Sequence, residues 1–184
     1  GGTAPVTPPA APQVYYVALG ANLGDRAGRL AWARERLYQL GPLVASPVYE
    51  SAPVGRAGTA PPSQPDYLNQ VVRLTTTLDP DPLLDALLAL EAEAGRVRDP
   101  QQQDAARTLD LDIILFGPDG SGLYNVPRLR IPHPRMHQRA FVLRPLLDLA
   151  PALQHPTLGR SLQGLLDALG QAPPALVAVA DQRP

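Results

Sequence analysis

The spacing of hydrophobic and polar positions changes several times along the chain, and each change marks an element. Residues 14–20, VYYVALG, form a nearly continuous apolar run of strand length and predict a buried first strand. GANLGDR follows as a turn. Asp25 is placed to cap a helix running to about Leu40, with Leu30, Ala33, Leu37 and Leu40 on one face, and Gly41-Pro42 stops it. LVASPVYESA (43–52) predicts a second strand, and a Gly/Pro loop covers 54–65. DYLNQVVRLTTTL (66–78), rich in β-branched residues, predicts a third strand. Asp79-Pro-Asp-Pro opens a second helix with proline in its first turn, ending at Gly95. Residues 97–106 are polar and aperiodic and predict a flexible loop. RTLDLDIILFG (107–117) predicts a fourth strand, closed by the turn Gly117-Pro-Asp-Gly. A short VPRLRIPHP segment, an amphipathic helix from about Met136 to Leu149, a short helix near 161–169 and a tail complete the chain.

The order β-α-β-β-α-β predicts an α+β fold of the ferredoxin-like kind: an antiparallel sheet with helices packed on it, followed by C-terminal helices. A length of 184 residues suits one domain, expected over 14–170, between a disordered Pro/Ala-rich stretch at 1–13 and a C-terminal tail at 171–184.

The fourth strand raises a question of chemistry. Side chains alternate along a strand, so Leu109, Leu111, Ile113 and Leu115 are expected on the core face, and Asp110 and Asp112 on the other with Ile114 and Phe116. Two carboxylates two residues apart have Cβ atoms about 6–7 Å apart. Ionised, they repel by roughly 2–3 kcal/mol at an effective dielectric near 20. Two readings are open. The aspartates face solvent on an amphipathic strand, or they share divalent cations, for which magnesium and a phosphate-bearing substrate are the natural partners. Arg96, Arg98 and Arg107 bracket the polar loop just before the strand, and His133, Arg135, His137 and Arg139 cluster after it. Guanidinium groups beside a carboxylate pair suit a polyphosphate, although any one arginine taken alone reads first as an ordinary surface charge.

Composition narrows the choice. The net charge is −1, which gives no global pull toward nucleic acid or anionic membrane. All 16 basic residues are arginine, so a lysine-bearing phosphate loop is excluded. The chain has no cysteine, which excludes disulfides, thiolate zinc sites and cysteine nucleophiles. No apolar run approaches bilayer-spanning length, and the first residues lack the basic start and apolar core of a secretory signal, so a cytoplasmic protein is expected. An RNA-binding sheet is the competing use of this fold. With aromatics at 5% and no aromatic-basic run, neither nucleic acid nor membrane is expected as a partner.

GANLGD, SPVYESAPVG, PDYLNQVV, GRVR, RTLDLDIILFG, IPHPRM and RAFVLRPL occur in this order between Val14 and Pro151. Together they resemble the 6-hydroxymethyl-7,8-dihydropterin pyrophosphokinases, the kinases of folate synthesis. The resemblance implies transfer of diphosphate from ATP to the pterin hydroxymethyl group with release of AMP. It implies two Mg2+ ions held by Asp110 and Asp112, with Arg96 and Arg107 at the transferring phosphates. It implies a pterin pocket of Ser51, Ala52, Pro53, Val54, Tyr67, Asn69 and Phe141, and an ATP site of Glu91, Arg98, Ile113, His133 and Arg139. Both substrates are small molecules, and dihydropteroate synthase, the pathway neighbour, is expected as a separate chain. Asn22 is implied as a supporting residue only.

One stretch departs from the resemblance. The family usually carries an Arg-Trp pair and Gly-Pro before the arginine of RTLDLD, whereas this chain has QQQDAA at 101–106. Its single tryptophan, Trp32, lies in the first helix. Another magnesium phosphotransferase built on a D-x-D strand stays open as an alternative, as does a weakened descendant with an altered loop.

Overall fold

The computed structural model describes residues 10–22, 24–51, 67–96, 109–170 and 177–179, with the backbone alone for Arg96 and 177–179. The first strand, β1 (Gln13–Ala21), is followed by helix α1 (Arg26–Tyr38), the short strands β2 (Leu43–Ala45) and β3 (Val48–Ser51), the long strand β4 (Tyr67–Thr76), helix α2 (Pro80–Arg96) and strand β5 (Asp110–Phe116). Then come a small hairpin, β6 (Tyr124–Val126) and β7 (Leu129–Ile131), helices α3 (Ala140–Leu149) and α4 (Leu162–Ala168), and a last strand, β8 (Val177–Val179).

The main sheet is antiparallel throughout, in the order β5-β1-β4-β3-β8, with β2 also paired to β4. Counted over the four expected strands this is 4-1-3-2, as the ferredoxin-like reading requires. The central pair β1–β4 is continuous in register from Gln13↔Thr76 to Ala21↔Leu68.

Each face of the sheet is covered by helices because its strands are apolar on both sides. On one face Tyr15, Val17, Leu19, Leu68, Val72 and Leu74 pack against α1 (Leu30, Ala33, Leu37) and α2 (Leu83, Leu87, Leu90, Ala94). Fully burying a leucine contributes roughly 2 kcal/mol, so the i, i+3, i+7 stripe of α1 suffices to dock it. Asp25 caps α1 by accepting the Gly28 N–H at 3.0 Å. On the other face Tyr16, Val71, Ile114 and Leu115 pack against α3, α4 and Met136.

Several expectations are corrected. Between Tyr16 and Val17 the register of β1 against β5 shifts, leaving Ile114 as an extra residue. A bulge of this kind turns the rest of the strand over. Leu115 therefore joins the α3 face, and Phe116 stacks on Tyr15 at 4.9 Å on the opposite side. Strict alternation put both on the wrong faces. The second strand is two short strands rather than one. The turn expected from Gly20 starts later, since β1 runs through Ala21. The helix expected from Met136 begins only at Ala140: residues 136–138 form one 3-10 turn, and Arg139 is extended (φ −121°, ψ 99°). The VPRLRIPHP segment contributes strand β7, which pairs with β6 as a hairpin, and the C-terminal tail contributes β8, which pairs with β3.

Candidate active site

The sheet face beneath α3 carries a row of four residues in register on adjacent strands: Tyr49, Asn69, Gly20 and Asp110. Beside it, Ser51 pairs with Tyr67, and Ala18 pairs with Asp112. Strand β1 thus presents the small residues Ala18 and Gly20 between the polar groups of Asn69, Asp110 and Asp112. The result is a trough floored by Ala18 and Gly20. Arg139, Phe141 and Val142, at the start of α3, overhang it to enclose a cavity of about 230 Å³.

Inside this cavity the polar groups are already arranged. Asn69, itself buried, donates from Nδ2 to Ser51 Oγ at 2.7 Å and more weakly to the Tyr67 carbonyl at 3.5 Å. Its Oδ1 lies on the Gly20 side, 3.8 Å from where a Cβ on Gly20 would sit. Asn69 and Ser51 therefore offer an acceptor and a hydroxyl donor side by side. Burial, reinforced by the charge of Asp110 and opposed by a hydrogen bond from Asn22, raises the Tyr67 phenol above its ordinary range, so it stays neutral. Phe141 supplies the facing ring, with the Arg139 guanidinium 5.6 Å from its centroid.

Asp110 and Asp112 line the cavity's β5 edge. Leu109, Leu111 and Ile113 are buried on the opposite side of the strand, which forces both carboxylates into the trough. Glu91 of α2 accepts the Leu111 backbone N–H at 2.8 Å and so holds the strand between the two aspartates.

Asp112 also borders a second cavity, of about 290 Å³. Leu84, Leu111, Ile113 and Leu129 form its apolar walls, and Arg128, Arg130, His133 and Pro134 its polar rim. The hairpin β6–β7 that builds this rim is tied to α2 by Arg128, paired to Asp85 at 2.5 Å and to Asp81 at 3.7 Å, and by a hydrogen bond from Tyr124 to Asp81. His133 is fixed at both ends: its N–H reaches the Ile114 carbonyl at 2.9 Å, and its Nδ1 accepts the Arg135 N–H at 3.1 Å. Burial lowers the imidazole below its usual range, Asp112 opposes that, and Arg139 and Arg135 add to it. The neutral ring therefore carries its proton on Nε2.

Most described residues expected at the site meet there. Ser51, Tyr67, Asn69, Phe141, Asp110 and Asp112 share the first cavity, and Ile113 and His133 line the second. Two expectations land differently. Arg139, implied for the ATP side, lines the first cavity, and Glu91 lines neither and anchors β5 instead. Ala52, Pro53, Val54, Arg98 and Arg107, and the side chain of Arg96, lie outside the described residues. Ala18 and Gly20 were missed. The available signal was a glycine at the end of an apolar strand run, which marks a close approach to that strand.

Among the described residues no helix is long and apolar enough to cross a membrane.

Known proteins resemble this chain in sequence and in fold. The profile of the 7,8-dihydro-6-hydroxymethylpterin-pyrophosphokinase (HPPK) family matches residues 16–151. The chain is 48% identical over 159 residues to the 2-amino-4-hydroxy-6-hydroxymethyldihydropteridine pyrophosphokinase of Pseudomonas aeruginosa, covering 85% of this chain and 91% of that one. It is 36% identical over 144 residues to the Bacillus subtilis protein of the same name, covering 77% and 80%. A crystal structure of Plasmodium falciparum HPPK-DHPS superimposes with a TM-score of 0.64 at 15% identity, covering 86% of this chain but only 46% of that longer one, a likeness of fold. With the profile spanning strands β2 to β5, both cavities and the aspartate pair, this chain belongs to the 7,8-dihydro-6-hydroxymethylpterin-pyrophosphokinase family.

Proposed function

We propose that this chain transfers a diphosphate group from ATP to the hydroxymethyl group of 6-hydroxymethyl-7,8-dihydropterin, releasing AMP, as a step of folate synthesis. The observation that carries the reading is the pair of cavities sharing Asp112. One is shaped for a flat heterocycle with an amide edge, the other for an apolar ring system with a phosphate tail, and the carboxylate pair stands where the two meet.

In the first cavity the pterin lies between Tyr67 and Phe141, since aromatic faces stack well on a flat ring. Asn69 Oδ1 accepts from its amide edge and the Ser51 hydroxyl donates to it. This orientation points the hydroxymethyl arm toward Asp110 and Asp112. In the second cavity the adenine ring packs on Leu111, Ile113 and Leu129, and the Nε2–H of His133 faces a phosphate oxygen. Arg139 reaches the transferring phosphates from the pterin side. Placing both reactants at one junction is itself a large part of the rate enhancement, because it removes the entropy of their encounter.

Asp110 and Asp112 fit magnesium. They are hard oxygen donors on one strand face, and magnesium is usually held by one or two carboxylates with substrate phosphates completing its shell. Two ions held by this pair would neutralise the triphosphate and make the substrate hydroxyl a better nucleophile. The aspartates also keep that hydroxyl oriented for in-line approach. Small, diffusible substrates go with a cytoplasmic reaction.

The test is Asp110→Asn and Asp112→Asn, each with one charge removed at constant volume. Turnover at ordinary magnesium falls by about 100-fold or more in each. Pterin binding and melting temperature stay near wild type. A variant that keeps near-normal turnover removes the metal-holding role.

A further inference from the structure

We propose that Tyr49, Asp148 and Arg144 are positioning residues that set the gap between Phe141 and the sheet, and so the fit of the flat substrate held there. The inference rests on reading the first cavity as the pterin site.

Tyr49 does not line that cavity. It stands directly opposite Asn69 in the β3–β4 pairing, on the same sheet face, one strand farther from Gly20. Directly opposed side chains on neighbouring strands have Cβ atoms about 5 Å apart, so Tyr49 backs Asn69 from the outside. Its hydroxyl hydrogen-bonds to Asp148 Oδ2, a contact between residues 99 positions apart in the chain. Arg144 Nη2 lies 2.5 Å from the other oxygen of the same carboxylate.

Phe141, Arg144 and Asp148 follow the i, i+3, i+7 pattern along α3, so they share one helix face. Phe141 overhangs the cavity at one end of that face, and the Tyr49 contact pins the other end to β3. Pro145 sharpens the dependence. It has no N–H to give to the carbonyl of Phe141, so the first turn of α3 is held less by its own helix and more by what α3 rests on.

The side chains of Asp148 and Arg144 are 24% and 33% exposed, so the carboxylate is partly open to solvent. An i, i+4 ion pair alone contributes little. Joined to a tyrosine from another layer, it becomes a strut between the strand carrying Ser51 and the helix carrying Phe141. Burial, then the hydrogen bond to Asp148, raises the Tyr49 phenol above its ordinary range, so the strut keeps its proton at neutral pH.

The experiment compares wild type, Tyr49→Phe and Asp148→Asn. Equilibrium binding of 6-hydroxymethyl-7,8-dihydropterin, the KM for each substrate and the melting temperature are measured for all three. In Tyr49→Phe, which loses one oxygen, the pterin Kd and KM rise about tenfold, because Phe141 is no longer preorganised at its height over the sheet. The ATP KM is unchanged, and the melting temperature falls by only a few degrees, the folding cost of one hydrogen bond. Asp148→Asn keeps a carbonyl oxygen that can accept from Tyr49, so it falls between the other two. A pterin Kd unchanged in Tyr49→Phe, or an equal rise in both KM values, overturns the strut. If the wild type itself fails to bind the pterin, the first-cavity reading falls and the strut falls with it.

Discussion

Gly20→Ala adds one methyl group to the floor of the proposed pterin site and alters nothing else. A Cβ built there lies 3.8 Å from Asn69 Oδ1, 3.9 Å from Tyr67 Cδ1 and 4.0 Å from Asp110 Cβ, all ordinary van der Waals distances. The backbone is extended strand, so alanine brings no strain. The fold should therefore accept the change, and loss of unfolded-state freedom should stabilise it by about 0.4–1 kcal/mol. The cavity should not accept it. The methyl occupies the sheet surface between the amide that reads the ring's edge and the aspartate that faces its arm. A bound ring must ride higher, out of register with Asn69 and Ser51. Overpacking of this kind costs roughly 1–3 kcal/mol, which is about 5- to 150-fold in Kd. ATP, bound in the other cavity, should lose nothing. Titration calorimetry with each substrate, alongside a melting curve, gives all three quantities. Unchanged pterin affinity in a normally folded variant would refute the claim that the ring lies over Gly20. A large fall in melting temperature would show that the glycine serves the fold instead.

Other predictions follow from the same geometry. Phe141→Ala should weaken pterin binding about tenfold through the lost ring contact, with a smaller effect on ATP; equal losses in paired titrations would mean that Phe141 mainly packs α3. Acidification should destabilise the fold through His155, whose Nδ1 accepts the N–H groups of Thr157 and Leu158. Burial, then the nearby His137, hold its pKa below the ordinary 6.5. The folded chain thus refuses a proton that the unfolded chain takes up. The stability it contributes is intact above about pH 6.5 and is lost as the pH falls through the depressed folded value, and His133 acts in the same direction. Melting temperature should decline on acidification and decline less in His155→Asn; a flat profile in the wild type contradicts this.

The parts of this protein legible in its sequence are those governed by a single period. Leu30, Ala33 and Leu37 announced the buried face of α1, and VYYVALG the central strand. The alternation of Leu109, Asp110, Leu111, Asp112 and Ile113 put both carboxylates on one face, where they line the first cavity. What escaped depends on a partner that a linear pattern does not name. The bulge at Ile114 is set by the register of β5 against β1, so Leu115 and Phe116 could not be placed by alternation. Gly20 gains its role only because Asn69 and Asp110 flank it across two strand pairings. The donor of Asn69 is committed to Ser51, so the pair presents an acceptor and a donor jointly, which no spacing announces. The strand β7 and the edge strand β8 are three residues each, too short to show a period.

The most direct test of the proposed reaction is to supply the protein with ATP, magnesium and 6-hydroxymethyl-7,8-dihydropterin and to resolve AMP from ADP over time. Diphosphate transfer predicts AMP formed in step with pterin consumption, no AMP without pterin, and no ADP. ADP as the product, or AMP formed at the same rate whether or not pterin is present, would contradict it.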